Sequence, residues 1–528
     1  VRSALALVFA VAAFAMLGSN PAGASVPTQQ GPVTGTTLDG MRAFLGIPYA
    51  KPPVAALRWQ PPIPPIRRPG PLSAIKFANH CPQAPGPFGK ASSTEDCLYL
   101  NIFTPPRATP RSNLPVMVWI HGGALTVGES DDYIPDRLVA HDVIVVTINY
   151  RLGYLGFLAV PALDAEPHKI VNYGFLDQQA ALKWVRQNIA NFGGDPYRTT
   201  IFGESAGGLS VFSQLASPGA TGLFDRAIAE SGGYQLTLPT LAADEALGTT
   251  LATSLGCSGP ATAACLRALP VASIIAKEGS LTTPAVDGTI LPRSPGEAFE
   301  TGKFNRVPVI DGSNHDEYRL FTAIDFDLTA GPLTAAEYPA VISATVGAAL
   351  APAVLKVYPV TAYTSPDLAF AAAITDATFS CTALAADRAL SRFVPVHAYE
   401  FVDPNAPELF LPPVSFPYQA AHASELQFLF DGLSPSPHPL SATERGLAAR
   451  MTAYWTRFAA TGQPNDFSTR FWPGFSPVED DVFTLVPEPP ILDPGPSFEK
   501  FHHCDFWGPV VTPEVFQAAR AAARARSR

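Results

Sequence analysis

The chain has 528 residues, of which 47% are hydrophobic and 15% charged, with a formal net charge of −10. That composition supports a large packed core and excludes global disorder. The acidic balance argues against a nucleic-acid binder, because the only basic run is the short tail from Arg520 to Arg528, expected to fray in water.

At the N-terminus, Arg2 precedes an apolar run from Ala4 to Leu17, and Ala22-Gly23-Ala24 offers a small-residue cleavage site before Ser25. Residues 1–24 therefore read as a signal peptide, with an uncleaved anchor as the alternative. The mature chain is expected to be secreted or periplasmic, without a stable membrane span. Six cysteines in an exported chain should pair. Cys81 and Cys97, and likewise Cys257 and Cys265, are near enough to close small loops, but spacing alone leaves the connectivity open. The sequence has no C-x-x-C, which gives zinc or thioredoxin-like chemistry little support.

Short strands are expected from Val33 to Tyr49, followed by a proline-rich loop through Trp59. Leu114 to Ile120 is apolar at every position, as a strand buried on both faces would be. It runs into His121-Gly122-Gly123-Ala124, a turn whose backbone N–H groups could face a ligand without side chains in the way. Val143 to Ile148 is a second buried-type strand, and Gln178 to Ile189 has helical spacing at Ala181, Leu182, Val185 and Ile189. Next comes Thr200-Ile201-Phe202-Gly203-Glu204-Ser205-Ala206-Gly207-Gly208, a G-x-S-x-G between a strand and a helix. A serine hydroxyl is a poor nucleophile unless the backbone holds it clear and a base takes its proton. A sharp strand-to-helix turn meets the first need, and the Ala206 N–H could then point at a developing oxyanion.

This order of strand, helix, strand, turn and helix is that of a mostly parallel sheet flanked by helices, with ligands beyond the carboxyl ends of the strands. Two later stretches offer partners for Ser205. The strand Val307 to Ile310 leads into Asp311-Gly312-Ser313-Asn314-His315-Asp316-Glu317, which supplies two candidate acids. Val396 to Val402 reads as a strand, with His422 on a loop beyond it; His397, inside that strand, reads as a core residue. His438, His502 and His503 carry no pattern.

Glu95-Asp96-Cys97-Leu98-Tyr99-Leu100-Asn101 and Phe202-Gly203-Glu204-Ser205-Ala206-Gly207-Gly208 resemble the two signatures of the type-B carboxylesterases, the carboxylesterase/cholinesterase/bile-salt lipase family. The proline-rich loop and the blocks at Asn149–Leu158, Asn172–Pro196 and Tyr454–Asn465 are similar to family blocks, so the resemblance covers nearly all of the mature chain. It implies an α/β-hydrolase fold, residues 25–528 as one domain, with long insertions over the active face. The nucleophile–acid–histidine order of that fold sets His121 aside as the base. By resemblance the catalytic residues are Ser205, Glu317 and His422, with Asp316 the runner-up acid. The oxyanion donors are the N–H groups of Gly123, Ala124 and Ala206, with Ala124 where many relatives have a third glycine. The implied disulfides are Cys81–Cys97, Cys257–Cys265 and Cys381–Cys504. No metal or cofactor is implied, and the expected partner is a small-molecule ester; oligomeric state is left open.

Two alternatives differ in kind. One is a non-catalytic adhesion module on this fold, which typically lacks the nucleophile. The other is a lipase-like, amide or carbamate hydrolase. A choline-ester role is disfavoured because Pro82 to Asp96 holds only Phe88 as an aromatic. In cholinesterases, bulky aromatics precede the P-x-x-D-G found here at Pro284–Gly288. The corresponding Glu278, Ser280 and Thr282 are not aromatic, which predicts room for butyryl or longer acyl groups unless Phe321 or the loop at Leu409-Phe410-Leu411 refills it.

Overall fold

The computed structural model describes residues 25–166, 171–279, 282–431, 433, 439–466, 469–479, 481–487, 492–493, 495–508 and 514–526. Residues 1–24, expected to be a signal peptide, and Ser280 and His438 lie outside the described residues. Among the described residues, eleven strands form the main sheet. In chain order they are β1 (Thr36–Leu38), β2 (Met41–Pro48), β3 (Tyr99–Thr104), β4 (Leu114–Ile120), β5 (Ile144–Ile148), β6 (Gly194–Glu204), β7 (Arg226–Glu230), β8 (Val309–Asn314), β9 (Val396–Phe401), β10 (Val482–Leu485) and β11 (Leu492–Asp493). Their spatial order is β11-β10-β9-β8-β7-β6-β4-β5-β3-β2-β1. From β5 through β10 neighbouring strands run parallel, and the antiparallel pairings lie at the two ends. This is the mostly parallel sheet expected.

Alternation sorts the side chains of β4 between two cores. Val116, Val118 and Ile120 face one side, with Ile201, Ala227 and Val309 from the neighbouring strands. Met117 and Trp119 face the other, with Phe202, Ile228 and Ile310. A strand buried on both faces must be apolar throughout, which is why this run shows no polar alternation. Helices α1 (Tyr173–Asn188) and α2 (Ala206–Ala216) contribute Leu182, Val185, Leu209 and Phe212 to the first core. Helix α3 (Ala442–Thr461) covers the second with Met451, Trp455 and Phe458. A capping box between Ser441 and Glu444 starts α3, and Gly462 in the left-handed region ends it. Trp455 is fully buried, so Trp455→Ala would cost about 3–5 kcal/mol.

Two expectations need correction. Strand β8 does not stop at Ile310 but runs on through Asn314. Polar residues 311–314 suggested a loop, yet β9 pairs all four in parallel and β7 pairs Asp311 and Gly312 from the other side. The interior accepts this because burial pushes the Asp311 carboxyl well above its usual range, toward its neutral form. Gly312 is needed there, since a Cβ would stand 2.3 Å from the Tyr399 ring. The C-terminal tail does not simply fray: Glu514–Arg526 is a helix, α4, packed against the Tyr338–Val346 helix, with Val515 and Ala519 buried. The helical stretch Pro366–Leu390 is long and apolar enough to cross a membrane by length and composition, but it is mostly buried inside the protein.

Candidate active site

Ser205 sits between β6 and α2 at φ 56° and ψ −120°, a conformation that costs a non-glycine residue on the order of 1–3 kcal/mol. The flanking glycines are dictated by contact with the neighbouring strand. A Cβ on Gly203 would stand 2.5 Å from the Ile120 carbonyl oxygen, and one on Gly207 1.9 Å from the same atom. The Ser205 N–H donates to Glu230 O at 2.8 Å, which ties the turn to β7.

The turn after β4 lies against this serine, because a Cβ on Gly122 would come within 3.1 Å of Ser205 Cβ. Gly123 and Ala124 both have positive φ, 98° and 56°, and the Thr282 N–H fixes the Ala124 carbonyl at 3.1 Å. Ala206 opens α2 directly after the serine. His121 is buried and stacked on Tyr150 at 4.6 Å. Burial lowers its pKa to about 4, so the ring is neutral and its Nδ1–H donates to Gly122 O at 2.9 Å. It braces the turn.

Glu317 follows β8, and its Oε2 accepts from His422 Nδ1 at 2.6 Å. Its other oxygen accepts from Ser231 Oγ at 2.5 Å and from the Asn314 N–H at 2.7 Å. The His422 N–H donates back to Glu317 O at 3.2 Å, so the loop and the acid are held together twice. Phe321 and Phe379 wall the imidazole at 4.9 and 5.2 Å. Asp316 turns away to Arg319 at 2.7 Å and to His315 at 3.3 Å, and does not reach His422.

His422 Nε2 lies 3.2 Å from Glu204 Oε1, and no hydrogen bond joins it to Ser205 Oγ among the described residues. In free enzymes such nucleophile–base contacts often close only with substrate present. Burial, and then the neighbouring Glu317 and Glu230, raise the Glu204 carboxyl well above its usual range. Glu230 behind it is pushed by burial up to about 8, while Trp455 Nε1 donates to it at 3.0 Å. Glu425, also raised by burial, accepts from Asn314 Nδ2 at 2.5 Å. Sequence reading missed this group of carboxyls and Ser231. The available signal was acid residues at the ends of apolar parallel strands, as at Glu204 and Glu230.

Ser205, His422 and the Gly122–Ala124 turn all line one cavity of about 820 Å³. Glu278 lines it too, whereas Thr282 belongs to a neighbouring cavity of about 830 Å³. Phe88, Phe321, Leu409 and Phe410 also line the first cavity, so aromatics approach it from other loops. His397 is structural, bonded to Pro473 O and Gln463. The three disulfides join Cys81 to Cys97, Cys257 to Cys265 and Cys381 to Cys504. Two groups among the described residues could gather round a cation, His315/Glu400/His502 and His80/Glu129/Asp131. In both, histidine–carboxylate hydrogen bonds already occupy ligand atoms.

The model of the carboxylesterase family matches residues 22–507. The chain belongs to this family. It is 37% identical to the para-nitrobenzyl esterase of Bacillus subtilis (strain 168) over 90% of this chain and 97% of that protein. The cocaine esterase of Homo sapiens is 35% identical over 89% of this chain and 87% of its own. A solved structure titled PNB esterase superposes with a TM-score of 0.76 at 33% identity, covering 91% of this chain and 100% of that one. The fold is that of an α/β-hydrolase, and the carboxylesterase is a hydrolase of carboxylic esters.

Proposed function

We propose that this carboxylesterase works through an acyl-enzyme on Ser205, with His422 as general base and acid and Glu317 as the group that orients it. The observation that carries the reading is the 2.6 Å Glu317–His422 pair on the cavity shared with Ser205. Ser205 Oγ attacks the ester carbonyl while its proton passes to His422 Nε2. The N–H groups of Gly123, Ala124 and Ala206 hold the oxyanion. Collapse breaks the ester C–O bond, and the alcohol leaves with the proton from His422. Water then repeats the sequence on the acyl-enzyme, releasing the acid and restoring Ser205. Glu317 fixes the imidazole with Nε2 toward the reaction and stabilises the imidazolium.

The preferred substrates are uncharged small esters with acyl groups of butyrate or longer, because a cavity of about 820 Å³ surrounds Ser205 and carries Glu278 in place of a ring on that wall. A p-nitrophenyl ester series from acetate to laurate tests this. Butyrate and hexanoate should match or exceed acetate in kcat/KM, and a steep acetyl preference would contradict it. The protein acts outside the cytoplasm in this reading, as the apolar N-terminal run and three disulfides support. Mass spectrometry of the exported protein should find Ser25 at its N-terminus.

A further inference from the structure

The catalytic cavity and the neighbouring one share a wall, and Arg520 from α4 lines both. Its side chain is only 13% exposed. Arg520 Nε lies 2.8 Å from Asp325 Oδ2, and its Cζ stands 5.4 Å above the Phe321 ring. That same ring is 4.9 Å from the imidazole of His422. One aromatic ring therefore separates the guanidinium from the catalytic histidine. The Nε edge is sealed in protein, and the Arg520 side chain lines both cavities.

Among the other charged groups at the catalytic cavity, Lys90 is held by Asp132 at 2.5 Å and Glu129 at 3.3 Å, two carboxylates for one ammonium. Burial pushes Glu278 up to about 7, which weakens its repulsion of an anion near neutral pH. Arg520 faces a single carboxylate along one edge. A guanidinium can accept a second carboxylate on its Nη groups as a two-point fork, and a half-enclosed site strengthens that contact over one in water.

We propose that Arg520 forms a carboxylate-binding subsite, so that the enzyme also takes esters bearing a carboxylate several bonds from the scissile carbonyl. This rests on the ester-hydrolysis reading above and adds a substrate class to it. The carboxylate could sit on the acyl or the alcohol side, and paired substrates separate the two. The acyl arm compares mono-p-nitrophenyl adipate with p-nitrophenyl hexanoate. The alcohol arm compares 4-(butyryloxy)benzoate with 4-methylphenyl butyrate. The quantity read is the charged-to-neutral ratio of kcat/KM, which cancels any loss of folded enzyme. Arg520→Gln should lower that ratio about tenfold in at least one arm, mainly through KM, and Arg520→Lys should restore part of it. Asp325→Asn, which removes the competing carboxylate, should raise it. A ratio unmoved by Arg520→Gln in both arms, or lowered by Asp325→Asn, would overturn the subsite. Failure of the wild type on the neutral esters would instead count against the ester-hydrolysis reading.

Discussion

Two buried histidines in this protein each lie between two carboxyl groups, and they do different work. His422 touches Glu317 at 2.6 Å and Glu204 at 3.2 Å, and lines the same cavity as Ser205. His502 touches Asp376 at 2.6 Å and Glu400 at 2.7 Å, with 1% of its side chain exposed. Burial alone would lower the pKa of His502, but the charges of Asp376 and Glu400 outweigh it and raise the value to about 10. His502 is thus a fixed cation beside the Cys381–Cys504 bridge, holding the C-terminal segment to β9 and to residues 376–381. At His422 one neighbour, Glu204, is pushed toward its neutral form, and Nε2 opens on a cavity. The same three functional groups make a latch when both acids are matched by the imidazolium, and in the proposed mechanism a proton-transfer site when one side faces substrate.

Variants should separate the two. Ser205→Ala, His422→Gln and Glu317→Gln should each lower kcat by about 10³-fold or more, since such groups act as a unit. His502→Gln should leave turnover per folded molecule largely intact but destabilise the fold by about 3–5 kcal/mol, because two buried acids lose their cation. A histidine whose folded pKa is raised from 6.5 to about 10 contributes fully below pH 6.5 and loses its contribution as pH rises through 10. The gap in Tm between wild type and His502→Gln should therefore be widest in acid and close toward pH 10. A gap independent of pH would argue against a charged latch.

Much of the catalytic constellation was legible because its chemistry is local. The elbow's glycines are forced by one carbonyl oxygen, Ile120 O, and strand-then-turn patterns marked the His121 turn, the acid pair Asp316 and Glu317 and the loop of His422, while the family resemblance singled out Glu317 and His422. The latch was not legible, because His502 meets Asp376 and Glu400 from more than a hundred residues away and has no motif. Nor was the extension of β8, whose polar residues 311–314 read as loop and depend on tertiary neighbours to be strand. Helix α4 was misjudged for a related reason: alanine and arginine alone do not reveal the surface they pack on.

A smaller effect sharpens the contrast on the catalytic side. Burial holds Glu230 near pKa 8 against 4.5 for an ordinary glutamate. The folded state keeps a proton that the unfolded chain releases between those values, so stability falls as pH rises from 4.5 through 8. Glu230→Gln keeps an acceptor for Trp455 and removes that loss. It should gain at least about 1.4 kcal/mol on the wild type between pH 5 and pH 8.5, read from urea unfolding at both.

The central claim is that Ser205 is the group acylated, with its reactivity set by His422. Labelling the purified enzyme with a fluorophosphonate and mapping the adduct by peptide mass spectrometry tests it most directly. The account predicts one adduct per chain, on Ser205, formed far more slowly in folded His422→Gln and absent in Ser205→Ala. An adduct on another residue, or Ser205→Ala that still turns over esters at the wild-type rate, would contradict it.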